Sequence, residues 1–349
     1  MWNKQSHSNT RMKILVAGIG GASLGTELVK SLHHAGQYEV HGCDISPYAY
    51  GHYMGEIKRT SLVRRSNYVQ DILKICLDEN ITFIVPGGEE PSVLLAEARE
   101  ILLENNITLV GNTTEVVRLC SDKSGLFLFL MKHGVAIPRT YSITIPEELE
   151  QVPIPCIIKP AKGSGGSSFV QLAGTLSDAK AAVAYLLQNH STPVIQEYIP
   201  EEEGEYTIGV LHTPEGRLVG SIAMRRMFNA KLSVMAKTEV GLISSGYSQG
   251  LIDDFADMRC QAELIAGLCQ SRGPLNIQGR VRNGILLPFE INPRFSATTY
   301  LRSLAGFNEV DMFIKMLATG IGLEEPNIRF GYYLRSLTET FVKPAEVKQ

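Results

Sequence analysis

The first third of the chain alternates short apolar runs with longer segments of helical periodicity. An apolar run predicts a buried strand, and apolar residues that recur every three to four positions predict a helix. The predicted strands are Met12–Ala17, Tyr38–Cys43, Ile81–Val85 and Thr108–Val110, and the predicted helices are Leu24–His34, Val69–Glu79 and Ser92–Asn105. This alternation indicates an α/β fold with a doubly wound parallel sheet that ends near residue 111.

The rest of the chain combines helices with hairpins. Asn283-Gly284 lies between two apolar runs, and Asn-Gly is a strong signal for a tight hairpin turn. The turn at residues 212–216 separates two further runs in the same way. The predicted strands are Cys156–Lys159, Val194–Tyr198, Glu205–Leu211, Leu218–Met224, Leu275–Val281 and Ile285–Asn292, and the predicted helices are Thr114–His133, Ser177–Gln188, Asp253–Ser271 and Glu309–Thr319.

Composition excludes several classes of protein. The 349 residues are 44% hydrophobic and 20% charged, which is ordinary for a globular enzyme. A net charge of -3 without blocks of like charge argues against nucleic acid or a membrane surface as the main partner. No apolar run is long enough to span a bilayer, and residues 1–11 are expected to form a disordered leader without a signal core. The six scattered cysteines favour buried thiols in a reducing cytoplasm.

A glycine-rich turn follows the first predicted strand. Gly18 and Gly20 fit the dinucleotide-binding pattern G-x-G-x-x-G, and Asp44 occupies the ribose-binding position. The third glycine is replaced by Ser23. Tight strand-to-helix geometry explains the two glycines without any ligand, so an NAD oxidoreductase is the less favoured alternative.

The segment FEINPRFS carries candidate metal ligands. Glu290 and Asn292 are two residues apart on a predicted strand, so their side chains share a face, and Gln278 lies on the preceding hairpin strand. Carboxylate and amide oxygens suit Mg²⁺. Arg294 follows on the same face, where it can neutralise charge on a transferring phosphoryl or acyl group. The alternative is a polar, solvent-facing strand.

A second segment carries candidate phosphate-binding groups. Lys159 ends an apolar strand, and the glycine loop after it offers backbone N–H groups that suit phosphates. The loop is not a Walker A loop because no G-K-[ST] closes it, and a surface linker explains it equally well. Lys123 lies early in a predicted helix, where a lone lysine is usually only solvated. A phosphate-binding role for Lys123 is supported only by its occurrence together with the other candidates. The loop residues considered are Gly163, Ser164, Gly165, Gly166 and Ser167.

Weaker candidates concern the base, the ribose and the substrate. Glu197, Tyr198 and Ile199 end an apolar strand and offer backbone groups and apolar walls to an adenine, and Glu205 can accept ribose hydroxyls. Acidic turns are usually only solvated. The substrate candidates are Glu89 and Glu90 after the third strand, and the pair Arg225 and Arg226. The alternatives are acidic residues that suit a helix N-terminus and a solvated basic edge.

These motifs, in this order, resemble the ATP-grasp superfamily, in particular its carbamoyl-phosphate synthetase large-subunit and biotin-carboxylase-like branch. The resemblance covers residues 12 to about 320. It implies an α/β (α+β) fold with an N-terminal Rossmann-like pre-ATP-grasp domain at 12–113. A two-lobed ATP-grasp domain would follow at 114–320, with a lid at about 150–200 and a C-terminal tail at 321–349.

The resemblance also implies roles by position. Lys123 and Lys159 would contact the ATP phosphates, Gly163 to Ser168 would cover them, Glu197 to Ile199 would hold adenine, and Glu205 would hold the ribose. Gln278, Glu290 and Asn292 would bind one or two Mg²⁺ (or Mn²⁺) ions, and Arg294 would stabilise an acyl phosphate or orient the substrate. Gln278 replaces the acidic residue of many relatives, although glutamine occurs in the carbamoyl-phosphate branch.

The expected function is an ADP-forming, ATP- and Mg²⁺-dependent ligase that joins a small-molecule carboxylate and an amine through an acyl phosphate. The expected substrate is a small metabolite such as an amino acid, and a homodimer is expected because dimers are usual among relatives. The alternatives are a carbamoyl-phosphate synthase-like enzyme that uses bicarbonate and a non-catalytic nucleotide-binding regulator.

Overall fold

The computed structural model describes residues 11–21, 24–162, 169–321 and 326–349. Its first unit is a parallel five-stranded sheet with the order β3-β2-β1-β4-β5. Its elements are β1 (Met12–Ala17), α1 (Leu24–Ala35), β2 (Tyr38–Asp44), β3 (Arg59–Leu62), α2 (Tyr68–Glu79), β4 (Phe83–Pro86), α3 (Glu89–Glu97), α4 (Arg99–Glu104) and β5 (Thr108–Leu109). The prediction missed β3, because this edge strand contains mainly polar residues.

The predicted helix Thr114–His133 is two helices, α5 (Thr114–Ser121) and α6 (Lys123–Lys132). Asp122 separates them because its backbone is extended, at φ -103° and ψ 95°. Its side chain caps α6 by accepting a hydrogen bond from the Gly125 N–H at 3.2 Å. The break makes Lys123 the first residue of α6.

The next unit is a four-stranded antiparallel sheet with the order β6-β9-β7-β8. Thr175 and Asp178 form a capping box at the start of its helix, in which each side chain accepts from the other's N–H at 3.1 Å. This unit has a separate apolar core that includes Ile158, Val183 and Ile195. Its elements are β6 (Thr140–Ser142), β7 (Cys156–Pro160), β8 (Gln171–Ala173), α7 (Leu176–Gln188) and β9 (Pro193–Glu197).

The largest sheet is antiparallel and has the order β16-β15-β10-β11-β14-β17. Both predicted hairpins, β10–β11 and β15–β16, are confirmed. Its strands are β10 (Glu205–His212), β11 (Leu218–Arg226), β14 (Gly250–Asp253), β15 (Pro274–Arg282), β16 (Ile285–Asn292) and β17 (Gly331–Tyr333). The same part of the chain contains the helices α8 (Ala256–Leu268), α9 (Thr299–Leu304) and α10 (Glu309–Thr319), and a separate two-stranded sheet of β12 (Val234–Thr238) and β13 (Gly241–Ser244). Strand β17 pairs with β14, so the predicted tail supplies an edge strand to this sheet.

One apolar core joins the parallel unit to the large sheet. Val16 and Leu28 of the first unit belong to the same cluster of buried side chains as Phe295, Phe307 and Phe313. Burying a side chain of this kind contributes about 1.5–3 kcal/mol. The shared core therefore fixes the parallel sheet against α9, α10 and the large sheet.

Among the described residues, no helix is long and apolar enough to cross a membrane.

Candidate active site

A cavity of about 440 Å³ lies where the three units meet. Gly87 to Glu89 line it from the end of β4, Lys123 from the start of α6, and Lys159 from β7. The large sheet contributes polar side chains from β15 and β16 on the opposite wall, including Gln278, Glu290 and Asn292. The cavity therefore brings together the predicted phosphate-binding and metal-binding residues.

Strands β15 and β16 place the predicted metal ligands side by side. Gln278 pairs with Glu290 across the two strands, and its Nε2 donates to Glu290 Oε2 at 2.8 Å. This bond leaves Gln278 Oε1 and the second carboxylate oxygen available to a cation. Asn292 Oδ1, which accepts from Arg294 Nη2 at 3.3 Å, adds a third oxygen.

This oxygen set fits magnesium. The described part of the chain contains no group of three or more His, Cys, Asp and Glu side chains placed to hold a metal ion, so the set is one carboxylate with two amides. Mg²⁺ commonly takes one or two carboxylates and completes its shell with waters and substrate phosphates. The residues that would hold it are Glu290, Gln278 and Asn292.

Lys159 reaches from the four-stranded unit to the large sheet. Its Nζ donates to Gln196 Oε1 and to the Phe289 carbonyl oxygen, both at 2.6 Å, and lies 5.1 Å from the centre of the Phe127 ring. An ammonium has three N–H donors, so one remains for a ligand. The pKa of Lys159 is lowered to about 7, mainly because the side chain is buried. The charge of Glu290 opposes this decrease, and the charge of Lys123 adds to it.

Lys123 lines the same cavity from the N-terminus of α6. Its backbone N–H donates to the Ala161 carbonyl oxygen at 3.1 Å, which joins α6 to the end of β7. A helix N-terminus also favours anions through its free N–H groups and its dipole. The predicted loop residues Gly163, Ser164, Gly165, Gly166 and Ser167, with Ser168, lie outside the described residues.

Arg294 also lines the cavity. Its Nη1 donates to the Phe295 carbonyl oxygen at 2.9 Å, and its buried Nε has no partner among the described residues. Burial lowers the pKa of Arg294, whereas the charges of Glu290 and Glu89 raise it. Arg294 thus combines a spare N–H donor with two nearby carboxylates.

The predicted adenine segment lines the cavity, and the Glu197 carboxylate is hydrogen-bonded to other residues of the protein. Its Oε1 accepts from the Arg139 N–H at 3.0 Å and from Arg282 Nη2 at 3.1 Å. Burial raises the pKa of Glu197, but the hydrogen bonds from the Arg139 N–H and the Arg282 guanidinium lower it by more, so the pKa is lowered overall. Tyr198 and Ile199 contribute cavity wall. An adenine-binding role of this segment stays a prediction.

Glu205 is engaged by two arginines. It is 1% exposed, with Oε2 at 2.8 Å from Arg280 Nε and Oε1 at 3.2 Å from Arg226 Nη1. Arg280 also donates to the carbonyl oxygens of Ile199 and Leu242, at 2.6 and 3.0 Å. Ribose binding by Glu205 stays a prediction: its Oε2 already accepts a hydrogen bond from Arg280 Nε, whereas its buried Oε1 accepts none among the described residues.

Only one of the four predicted substrate residues lines the cavity. Glu89 does, whereas Glu90 forms an ion pair with Arg65 at 3.1 Å outside it. Arg225 is exposed, and Arg226 is buried against Glu205. The solvated basic edge is therefore wrong for Arg226, because a desolvated guanidinium needs a fixed counter-charge. Substrate roles for Glu90, Arg225 and Arg226 have no contact with the cavity to support them.

The structure gives the glycine turn a packing role. A Cβ atom on Gly25 would overlap the Gly18 carbonyl oxygen, so the start of α1 approaches the turn closely. The Asp44 carboxylate accepts from the Ile19 N–H at 2.8 Å and from the Ser46 N–H at 2.9 Å. Both carboxylate oxygens of Asp44, the residue at the dinucleotide ribose position, thus accept backbone hydrogen bonds, one from the glycine turn and one from the segment after β2.

Sequence reasoning missed several polar residues of the cavity, among them Asn276, Thr207 and Arg280. Asn276 has a signal, because it precedes Gln278 by two residues and therefore shares its face of β15. Thr207 and Arg280 have no such signal, since their place depends on which strands are neighbours.

Residues 120–298, just over half of the chain, match the ATP-grasp domain family. The chain belongs to the ATP-grasp family. Enzymes of this family use ATP and Mg²⁺, which confirms the predicted cofactors, and its homologous members are ADP-forming ligases, as predicted.

The chain is similar to parts of known proteins. The carbamoyl phosphate synthase large chain of Methanocorpusculum labreanum is 25% identical over 244 residues, 68% of this chain and 23% of that one. The chain thus spans about a quarter of the length of such relatives. Biotin carboxylase from Campylobacter jejuni aligns with a TM-score of 0.67 and 16% identity, covering 93% of this chain and 75% of that one. L-amino acid ligase from Bacillus licheniformis aligns with a TM-score of 0.66 and 12% identity, covering 88% and 74%. These structures share the fold.

Proposed function

We propose that the protein is an ADP-forming carboxylate–amine ligase that acts through an acyl phosphate on a small metabolite such as an amino acid. The observation that carries this proposal is the placement of Lys159. Its buried ammonium spans two sheets and lies beside the Glu290 carboxylate, with Gln278 and Asn292 on the same wall. Such a site holds an anionic phosphate and a divalent cation together.

The need for this arrangement follows from charge. A carboxylate is a poor electrophile, and its negative charge repels a triphosphate. Lys123, Lys159 and Arg294, which all line the cavity, offset that charge. Mg²⁺, held by Glu290, Gln278 and Asn292, would supply further neutralisation of the phosphate charge.

Two steps complete the proposed reaction. A substrate carboxylate oxygen bonds to the γ-phosphorus of ATP, and the bond from that phosphorus to ADP breaks. The amine nitrogen then bonds to the acyl carbon, phosphate leaves, and the amine loses a proton to solvent. Arg294 stabilises negative charge on the acyl phosphate through its spare N–H donors.

The domain assignment belongs to the same proposal. We assign the parallel unit, residues 12–113, as the Rossmann-like pre-ATP-grasp domain and residues 114–320 as the ATP-grasp domain. The part of the four-stranded unit at about 150–200 is its lid, to which β6 adds an edge strand from outside that range, and 321–349 is the tail. A cytoplasmic location and a homodimer remain part of this expectation.

The test is ADP release from Mg-ATP with a panel of amino acids and small carboxylates, alone and in pairs. Release that requires one pair identifies a ligase and both substrates, and release with bicarbonate alone favours carbamoyl-phosphate chemistry instead. Glu290→Gln should lower turnover by about 10²–10³-fold, because it removes the charge that holds the cation. Glu100→Gln, on the exposed face of α4, is the matched control. Unchanged turnover in Glu290→Gln would end this proposal.

A further inference from the structure

Asn276 lines the cavity, but its amide oxygen is already used. The oxygen lies 2.6 Å from Arg302 Nη2 and 3.0 Å from Thr207 Oγ1. A guanidinium can only donate, so the atom that faces Arg302 must be the amide oxygen and not the nitrogen. The amide NH₂ group is consequently left for the cavity.

Arg302 is held in place by a buried network. It is 1% exposed, and its Nη1 donates to Glu309 Oε1 at 3.0 Å. Thr299 Oγ1 donates to the same carboxylate oxygen at 2.8 Å. A Cβ on Gly209 of β10 would overlap the Arg302 guanidinium, so glycine leaves the space that the network occupies. A buried charge pair with several fixed partners has one orientation.

Asn276 therefore differs from its neighbours on the same wall. Gln278 and Asn292 present amide oxygens, and Glu290 presents a carboxylate, all suited to a cation. Asn276 presents N–H donors, and no described residue accepts a hydrogen bond from them. A donor next to a cation site suits an anion that binds the same cation.

We propose that Asn276 donates a hydrogen bond to a phosphoryl oxygen, and that Arg302 and Glu309 are positioning residues that fix its amide. The inference rests on the proposed function, because it needs a phosphate in this cavity. It assigns Asn276 to the anion and excludes it from the metal ligands.

A double-mutant cycle tests this chain of contacts. Asn276→Ala should lower kcat for ADP release by about 10²–10³-fold, as expected for loss of a donor to developing charge. Arg302→Lys keeps the positive charge beside Glu309 but removes the Nη2 group that donates to Asn276, so kcat should fall by about 10–100-fold. In the Asn276→Ala background the same Arg302→Lys change should alter kcat by less than about twofold, because its target is gone. An undiminished Arg302→Lys effect in that background would overturn the positioning role.

Asn276→Asp separates a donor from a metal ligand. A carboxylate there would repel the phosphate, so kcat should fall below that of Asn276→Ala while the Mg²⁺ concentration for half-maximal rate stays the same. Activity near wild type with a lower Mg²⁺ requirement would show that Asn276 is a metal ligand and would refute the inference.

A binding measurement keeps the inference testable without turnover. The same variants are titrated with Mg-AMP-PNP and with AMP. Asn276→Ala should weaken AMP-PNP binding about tenfold or more and leave AMP binding unchanged, because only the former carries a γ-phosphate. Equal binding of AMP-PNP to wild type and Asn276→Ala would overturn the inference. Failure of ADP release alone would instead count against the proposed function. Arg302→Met/Glu309→Met, which removes both charges, replaces Arg302→Lys if that variant does not fold.

Discussion

Binding of a nucleotide triphosphate should be accompanied by uptake of a proton at Lys159. Burial and the charge of Lys123 together lower the pKa of this ammonium to about 7, although the charge of Glu290 opposes them. At pH 8 a group with that pKa is about 90% neutral, by the definition of the pKa. A phosphate next to Lys159 favours the charged form and returns the pKa toward that of ordinary lysine.

The expected uptake is about 0.9 proton per bound nucleotide at pH 8 and about 0.1 proton at pH 6, where the free protein is already protonated. Because the bound state holds the extra proton, affinity should fall as pH rises above 7, by at most about tenfold per pH unit. Calorimetric titration with Mg-AMP-PNP in two buffers of different ionisation enthalpy measures the uptake directly.

Lys159→Arg is the decisive variant, because arginine stays charged at both pH values. This variant should bind Mg-AMP-PNP without proton uptake at residue 159. Subtracting its proton uptake from that of the wild type therefore removes the protons that the nucleotide itself takes up or releases. Lys180→Arg on α7, outside the cavity lining, should keep the wild-type uptake. Uptake below about 0.2 proton at pH 8 in wild type, or equal uptake in Lys159→Arg, would refute a neutral Lys159 in the free protein.

Two further substitutions, each with a control variant, test the shared core and one wall of the cavity. Phe313→Ala removes a ring from the core shared by the parallel unit and the large sheet and should lower the free energy of unfolding by about 3–5 kcal/mol in urea. Leu337→Ala, at a 49% exposed site, should change it by less than about 0.5 kcal/mol, and equal effects would contradict the shared core. Gly241→Ala places a Cβ against the Tyr198 hydroxyl at a φ of +153° and should weaken AMP binding. Gly267→Ala, with open space around it, should leave AMP affinity unchanged, and unaltered affinity in Gly241→Ala would count against this wall of the cavity.

The predicted metal ligands on β15 and β16 show how much of a site can be predicted from a sequence. Glu290, Asn292 and Gln278 were assigned to one face from the two-residue period of a strand and from one Asn-Gly turn, and the structure places all three in one cavity. The hairpin is local, so its register follows from residues close together in the chain.

Contacts between distant segments left no comparable pattern. Arg226 and Arg280 reach Glu205 from the two strands that flank β10, and strand order is not encoded by periodicity. The helix break at Asp122 was missed because apolar positions continue through it from Val116 to Leu130. Strand β17 was missed because its pairing depends on the exposed edge of β14.

The separate core of the four-stranded unit has a consequence for amide exchange with solvent water. Its buried residues, including Ile158, Val183 and Ile195, do not belong to the cluster that joins the parallel unit to the large sheet. This unit can open sub-globally while the rest of the protein stays folded, so its amides should lose protection first. For the same reason, the four-stranded unit is the part that can be exchanged between homologues. Cutting the chain after β5 would instead divide the apolar core that the parallel unit shares with the large sheet and expose its side chains in both fragments.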